Sequence, residues 1–337
     1  MKILSIFARL TVAVAFLFTA LFSITTPVRA QAMPDEVTVA YFLEWPSPNL
    51  YFKASKRFEE EMGVKVNWRS FGNGNEMSAA MASGDVQIAY SQGLVPFVVA
   101  VTKGLPIKLV SVAVSYAEND NCIIRNDSGI TQKNATELHG KKVATPIGNV
   151  THYKFLRTMD HLKVDPDKMT VLQMNPPEGA AALARGDVVM ACGFGGALQR
   201  MKRYGKPLMT AKEQEAIGIR VFDIVSVTED FADKYPDLLV KFLQITEDAN
   251  NMFREDPNKY LPVIAKQSGQ SLDDARNMVD LFYFPTRKEQ LSRAWMRKTV
   301  KNFINEVAQF YVDSGTIPEK LDDYGPTIDR SFMRKVK

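Results

Sequence analysis

The residues with most chemical potential are an acid in an apolar run and a set of donors at a predicted helix start. Asp223 interrupts Val221-Phe222-Asp223-Ile224-Val225, where a carboxylate is costly to bury unless it finds a charged or donor partner. It leads the candidates for holding a cation; the alternative is a salt bridge to a neighbouring Lys or Arg. Glu44 ends a predicted strand as a second carboxylate, and Trp45 beside it either faces a cation or packs within a lobe. For an anion, Gly148-Asn149-Val150-Thr151-His152-Tyr153 follows a strand and Pro146 and opens a helix. Backbone N–H groups at such a start are free and the local dipole favours negative charge. Thr151 adds a hydroxyl, unless it or Asn149 merely caps the helix.

Further polar groups fall at predicted loops. Ser91-Gln92 follows a strand and either faces a ligand or terminates that strand, while Asn73-Gly74-Asn75 brings backbone close to a cleft or forms an ordinary turn. Glu118 and Asn119 fall in a polar stretch that a solvated hinge explains as well as a site does. His152 is read with the donor run, because no nucleophile or paired acid accompanies it at a catalytic spacing. Gly-x-Ser-x-Gly, a phosphate-binding Walker loop and a dinucleotide fingerprint are all missing from the sequence.

Composition narrows the classes. With 337 residues, the chain has material for about two domains. Two cysteines and three histidines in no ligand spacing argue against a metal enzyme, and no cofactor is expected. Three of the 42 basic residues, Lys2, Arg9 and Arg29, lie in the first thirty positions, leaving 39 against 38 acids. A nucleic-acid footprint is therefore not expected. Lys2 and Arg9 precede an uncharged run from Leu10 to Ile24, then Pro27 and Ala30-Gln31-Ala32. This reads as an export signal over residues 1–32, cleaved after Ala32 or, as second choice, after Ala30. The alternative, a membrane anchor, needs about 20 apolar residues, and the run is shorter. No cysteine follows it for lipid attachment.

These residues must be positioned by alternating elements. Val37–Phe42, Val64–Trp68 and Val86–Tyr90 read as strands, with helices at Leu50–Met62 and Asn75–Ser83 between them. Strands at Leu109–Ser115 and Cys122–Arg125 follow, and the alternation restarts with Lys142–Thr145, Thr170–Gln173 and Val188–Ala191. A strand at Arg220–Val227 precedes a helical tail: Pro236–Arg254, Pro257–Gln267, Ser271–Val279 and Glu289–Ser314. The tail has no alternation of its own, so it is expected to wrap back on the first block. The second block is then an insertion entered near residues 116–121 and left near 219–223. The expected architecture is α/β: lobe 1 from residues 33–118 and 224–337, lobe 2 from 119–223, each a mostly parallel sheet flanked by helices. In such sheets ligands bind at the carboxyl ends of the strands, here in a cleft between lobes.

Val37-Thr-Val-Ala-Tyr, Val66-Asn-Trp-Arg-Ser-Phe, Met81-Ala-Ser-Gly-Asp-Val-Gln-Ile, Thr151-His-Tyr and Phe222-Asp-Ile resemble the taurine-binding periplasmic proteins of ABC transporters. The Ala-Ser-Gly-Asp-Val-Gln-Ile run is typical of the wider family that binds nitrate, sulfonates and thiamine precursors. Where that family usually has Trp-Ala-Pro, this chain has Cys192-Gly-Phe-Gly-Gly196, which puts Phe194 at the expected cleft. The resemblance implies the type II periplasmic-binding-protein fold and a periplasmic solute-binding protein, not an enzyme. It would act as a monomer, capturing taurine or a related short sulfonate or zwitterion and presenting it to an inner-membrane permease with its ATPase. Alternatives are another small anion or amine as ligand, an enzyme resembling the thiamine-pyrimidine synthases, or the effector half of a regulator. In an oxidising compartment Cys122 and Cys192, at strand ends of one lobe, form a disulfide or remain buried thiols.

Overall fold

The protein is described here by a computed structural model covering residues 32–337; residues 1–31, nearly all of the expected export signal, lie outside the described residues. The chain first lays down β1 (Glu36–Phe42), β2 (Lys65–Phe71), β3 (Ile88–Gly93) and β4 (Ile107–Ser115). It then crosses to a second sheet of β5 (Asp120–Arg125), β6 (Lys142–Thr145), β7 (Thr170–Gln173), β8 (Met190–Phe194) and β9 (Gly205–Pro207), and returns as β10 (Phe222–Thr228). The strand orders are β2-β1-β3-β10-β4 and β7-β6-β8-β5-β9.

Both sheets show the same pattern across their width, two parallel pairings and then two antiparallel ones. β1 runs parallel to β2 and β3, and β6 to β7 and β8, whereas β10 and β5 are antiparallel to both of their neighbours. The expectation of mostly parallel sheets therefore holds in strand direction, with one reversed strand in each. The reason is topological. Each reversed strand is the first to follow a crossing, and a crossing delivers the chain to the cleft, so the strand must run away from it while its neighbours run towards it.

The first lobe has one continuous core that includes both faces of its sheet, with Val37, Val39 and Ala40 of β1 fully buried. The second lobe has two smaller cores, Cys122, Ile124 and Val143 contributing to one and Ile123, Ala144 and Ala191 to the other. The helical tail packs on the first lobe: Ile328 bridges Leu109 of β4, and Tyr283 bridges Ser115. Its helix Thr299–Asp313 buries Val300, Phe303, Ile304, Val307, Ala308 and Tyr311, the i, i+3, i+4 stripe expected of a helix with one solvated face.

Some expected elements change. The helix at Leu50–Met62 is two, Asn49–Ala54 and Arg57–Met62, separated by Lys56 in the left-handed region (φ 60). The helix at Glu289–Ser314 is also two, Arg287–Gln290 and Thr299–Asp313. The first ends at buried Gln290, which turns inward and accepts hydrogen bonds from Ser111 Oγ and Val112 N, both at 2.9 Å. A helix at Leu94–Thr102 escapes periodicity because seven of its nine residues are buried, leaving no polar face to mark the period.

Candidate functional site

Asp223 stands second in β10, between Gly93 of β3 and Val114 of β4. It is 2% exposed and pairs with no cation; the salt-bridge alternative is not what the fold provides. Instead, Ser91 Oγ donates to Oδ2 at 2.7 Å and Tyr116 Oη donates to Oδ1 at 2.5 Å. Burial pushes its pKa up to about 8, against the pull of these two donors.

Ser91 is not a residue after the strand, as expected, but lies within β3, where two residues oppose one of β10 and the register shifts. Such a bulge re-aims a side chain, and here Ser91 takes a left-handed φ of 64. The result is a chain of donors in which Trp45 Nε1 donates to Ser91 Oγ at 2.9 Å and Ser91 to Asp223. Trp45 is itself packed by Tyr116 and Phe194, with ring centroids at 4.9 and 5.9 Å.

Across the cleft, Asp120 opens β5 opposite Phe194 of β8. It is 1% exposed. Thr151 Oγ1 donates to its Oδ2 at 2.7 Å, and Lys154 donates to its backbone carbonyl and, at 3.1 Å, to that of Ala117. Burial raises the Asp120 carboxyl to about 6, with Lys154 and Thr151 opposing. The helix Val150–His161 starts beside it, capped by Asn149, whose Oδ1 accepts from Val150 N at 2.9 Å. This helix start comes close to β3 only because residue 93 is glycine: a Cβ there would meet Val150 Cγ2 at 2.6 Å.

These groups enclose a small chamber of about 10 Å³ lined by Phe42, Trp45, Tyr116, Asp120, Asn149 and Asp223, with Gly93, Val150 and Phe194 completing it. That is room for roughly one water. Phe42 and Phe194, whose centroids are 5.5 Å apart, separate it from an outer pocket of about 390 Å³ with Phe71, Pro176 and Pro177 in its walls. The two lobes are thus drawn together in this conformation.

The remaining expected site residues divide. Phe194 lines both cavities. Glu44 lines the outer pocket, where both its oxygens accept from Arg200 of the second lobe at 2.7 and 3.0 Å. Gly195 and Gly196 admit this loop, since a Cβ at Gly195 would lie 2.7 Å from the Glu44 carbonyl. Asn75 is an inter-lobe tie at the rim, donating to the Ile147 carbonyl at 2.9 Å, and Asn73 donates to Asn175 Oδ1 at 2.7 Å beside it. Gln92 lies away from the chamber, joining Ser78 and Ser226. Glu118 accepts from Ala211 N at 3.1 Å, also outside it, and Asn119 donates to the Met278 carbonyl at 2.9 Å. Thr151 turns to Asp120. His152 accepts from Gly148 N at 3.2 Å through Nδ1, and burial lowers it to about 4, so it is neutral. Cys122 and Cys192 are directly opposed on β5 and β8 and joined in a disulfide.

Sequence reasoning passed over Tyr116, Asp120 and Phe42. Asp120 was hidden in the polar stretch read as a hinge; the signal available was its position two residues before Cys122, on the same face of a strand.

The family model described as NMT1/THI5 like matches residues 48–260, and the chain belongs to that family. It is 28% identical over 310 residues to the taurine-binding periplasmic protein of Escherichia coli (strain K12), covering 90% of this chain and 94% of that one. Among solved structures, the alkanesulfonate-binding protein SsuA from Xanthomonas axonopodis pv. citri, bound to MOPS, superposes with a TM-score of 0.73 at 16% identity, covering 89% of this chain and 100% of that one. The desulfurization enzyme DSZB shares the fold with a TM-score of 0.64 at 13% identity, over 89% of this chain and 98% of that one. The fold is therefore that of two-lobed periplasmic binding proteins, and fold alone does not separate binding from catalysis.

Proposed function

We propose that this chain is the periplasmic solute-binding component of an ABC importer, capturing taurine or a related short sulfonate and delivering it to an inner-membrane permease with its ATPase. The observation that carries this reading is the meeting of a buried carboxyl, aromatic walls and the start of a long helix between the lobes; the chamber of about 10 Å³ left there in this conformation takes taurine only when the lobes stand further apart. An ammonium is met by Asp223, and a sulfonate by the first turn of the helix Val150–His161, where the Asn149 cap takes up the Val150 N–H and leaves those of Thr151 and His152. The name of the Escherichia coli relative supports the same ligand class and compartment. Opening of the lobes about the two crossings admits the ligand, and the ties Glu44–Arg200 and Asn73–Asn175 close the rim behind it. Binding rather than catalysis is favoured because both cysteines are bonded to each other and His152 is engaged by Gly148.

A second reading, a small amine as ligand, is favoured by one observation: no Lys or Arg is among the residues lining the inner chamber. Thermal-shift and calorimetric titration against taurine, hypotaurine, alkanesulfonates, GABA, betaines and nitrate decides between them, since a ligand bound only by the folded state raises its melting temperature. Taurine and its near sulfonates are expected to give the largest shift; a response to GABA or betaines alone would replace the sulfonate reading with the amine one.

A further inference from the structure

Asp120 is satisfied on one side only. Its Oδ2 holds Thr151 and its backbone carbonyl holds Lys154, yet Oδ1 is buried and accepts no hydrogen bond from any described residue. A buried acceptor left in this state is unfavourable and calls for a donor. Asp120 lines the same chamber as Asp223. The first belongs to the second lobe and the other to the first, each near the start of the reversed strand of its sheet. An ammonium brings three N–H donors and one positive charge, which suits two carboxyl groups on facing walls.

We propose that Asp120 and Asp223 together clamp the protonated amine of the ligand, one carboxyl from each lobe, so that the ammonium itself bridges the cleft and selects aminosulfonates over sulfonates lacking an amine. The inference rests on the proposed ligand class and adds the residue that makes the amine obligatory. Asp223 faces Tyr116, Ser91 and Asp120; Asp120 faces Thr151 and Lys154, and Lys154 is in turn influenced by Glu118, Glu215 and Lys202. Burial above all, with the Asp120 charge adding to it, raises Asp223 to about 8, so near neutral pH the empty pair keeps a proton on Asp223. Ammonium takes that proton's place, and binding releases it.

Calorimetry of the unaltered protein with taurine, N,N,N-trimethyltaurine and ethanesulfonate tests the clamp without any risk to folding. Taurine should bind at least about tenfold more tightly than either analogue, because each lacks the N–H donors. Asp120→Asn, checked for an intact melting transition, should weaken taurine about ten- to a hundredfold and leave ethanesulfonate nearly unchanged. Equal affinities for the three ligands, or an Asp120→Asn variant that binds taurine as well as the parent, would overturn the clamp while leaving sulfonate binding in place. Binding of GABA but not taurine, lost in Asp120→Asn, would keep the clamp and remove the sulfonate reading. No binding of taurine, ethanesulfonate or GABA would remove both.

Discussion

The two lobes are the same sheet built twice, yet they use the equivalent reversed strand differently. In the second lobe, β5 is fastened to β8 by the Cys122–Cys192 disulfide. In the first, β10 meets β3 through a bulge that aims Ser91 at Asp223. The difference follows the cores. Each lobe buries one carboxyl, Asp223 or Asp120, but the first has a continuous interior extended by the helical tail and also absorbs a strained serine, whereas the second divides its apolar residues between two small clusters. A lobe with little core gains most from a covalent tie, and a lobe with a large one can hold a strained backbone without it.

The most damaging test of this contrast removes the disulfide. Replacing Cys122 and Cys192 together by serine should lower stability by about 2–4 kcal/mol, given the 70-residue separation they close. Denaturant titration gives the magnitude, and hydrogen exchange should locate the lost protection in β5 to β9 and not in the first sheet. Uniform loss across both lobes would mean that they do not differ in intrinsic stability.

Next in size is Asp223→Asn. An ionic hydrogen bond to an ammonium becomes a neutral one, so affinity for an amine-bearing ligand should fall by about 1.5–3 kcal/mol, or roughly ten- to a hundredfold, with the fold retained. Isothermal titration measures it, and an unchanged dissociation constant removes Asp223 from the site.

A pH series separates the groups behind the effect. Asp223 at about 8 and Asp120 at about 6 are raised above the ordinary carboxylate value of 3.8, so the unfolded chain ionises first and their contribution to stability declines as pH rises through those ranges. His152, lowered from 6.5 to about 4, has the opposite effect and costs stability as pH falls through that window. Of these three, Asp223 alone acts between pH 6.5 and 8. The ligand-free protein should therefore lose stability with rising pH there, and Asp223→Asn should flatten the slope; a slope that survives the substitution assigns it to another group.

The smallest effect is expected at the rim. Arg200→Ala removes a partly exposed inter-lobe ion pair worth about 0–1 kcal/mol, so affinity should weaken by no more than about fivefold, chiefly through faster dissociation. Stopped-flow release would show it, and a larger loss would move Glu44 from the rim to the ligand.

Much of this comparison could be read from residue order alone, because strand and helix alternate with a clear period and the helical tail has none. Asp223 was visible for the same reason: a charge inside Val221–Val225 breaks an apolar pattern. Asp120 was not, since among Glu118, Asn119 and Asn121 a further polar residue breaks nothing. Its burial comes from tertiary packing, through the lysine of a helix more than thirty positions away. Ser91 is marked by its place near a predicted strand end, but its bulge depends on register with β10, far along the chain, which no local pattern records. Gln92, its neighbour, has the same local signal but forms its hydrogen bonds to Ser78 and Ser226, away from the chamber.

Tyr153 has a consequence for how the cleft exchanges its contents. The side chain leaves the second lobe to sit, wholly buried, among Phe303, Phe310 and Tyr311 of the tail. Pulling it out would expose on the order of 150–250 Å² of mostly apolar surface. The rim opposite is held by polar ties that water can replace. Parting the lobes at Glu44 and Arg200 therefore costs less than parting them at this tyrosine.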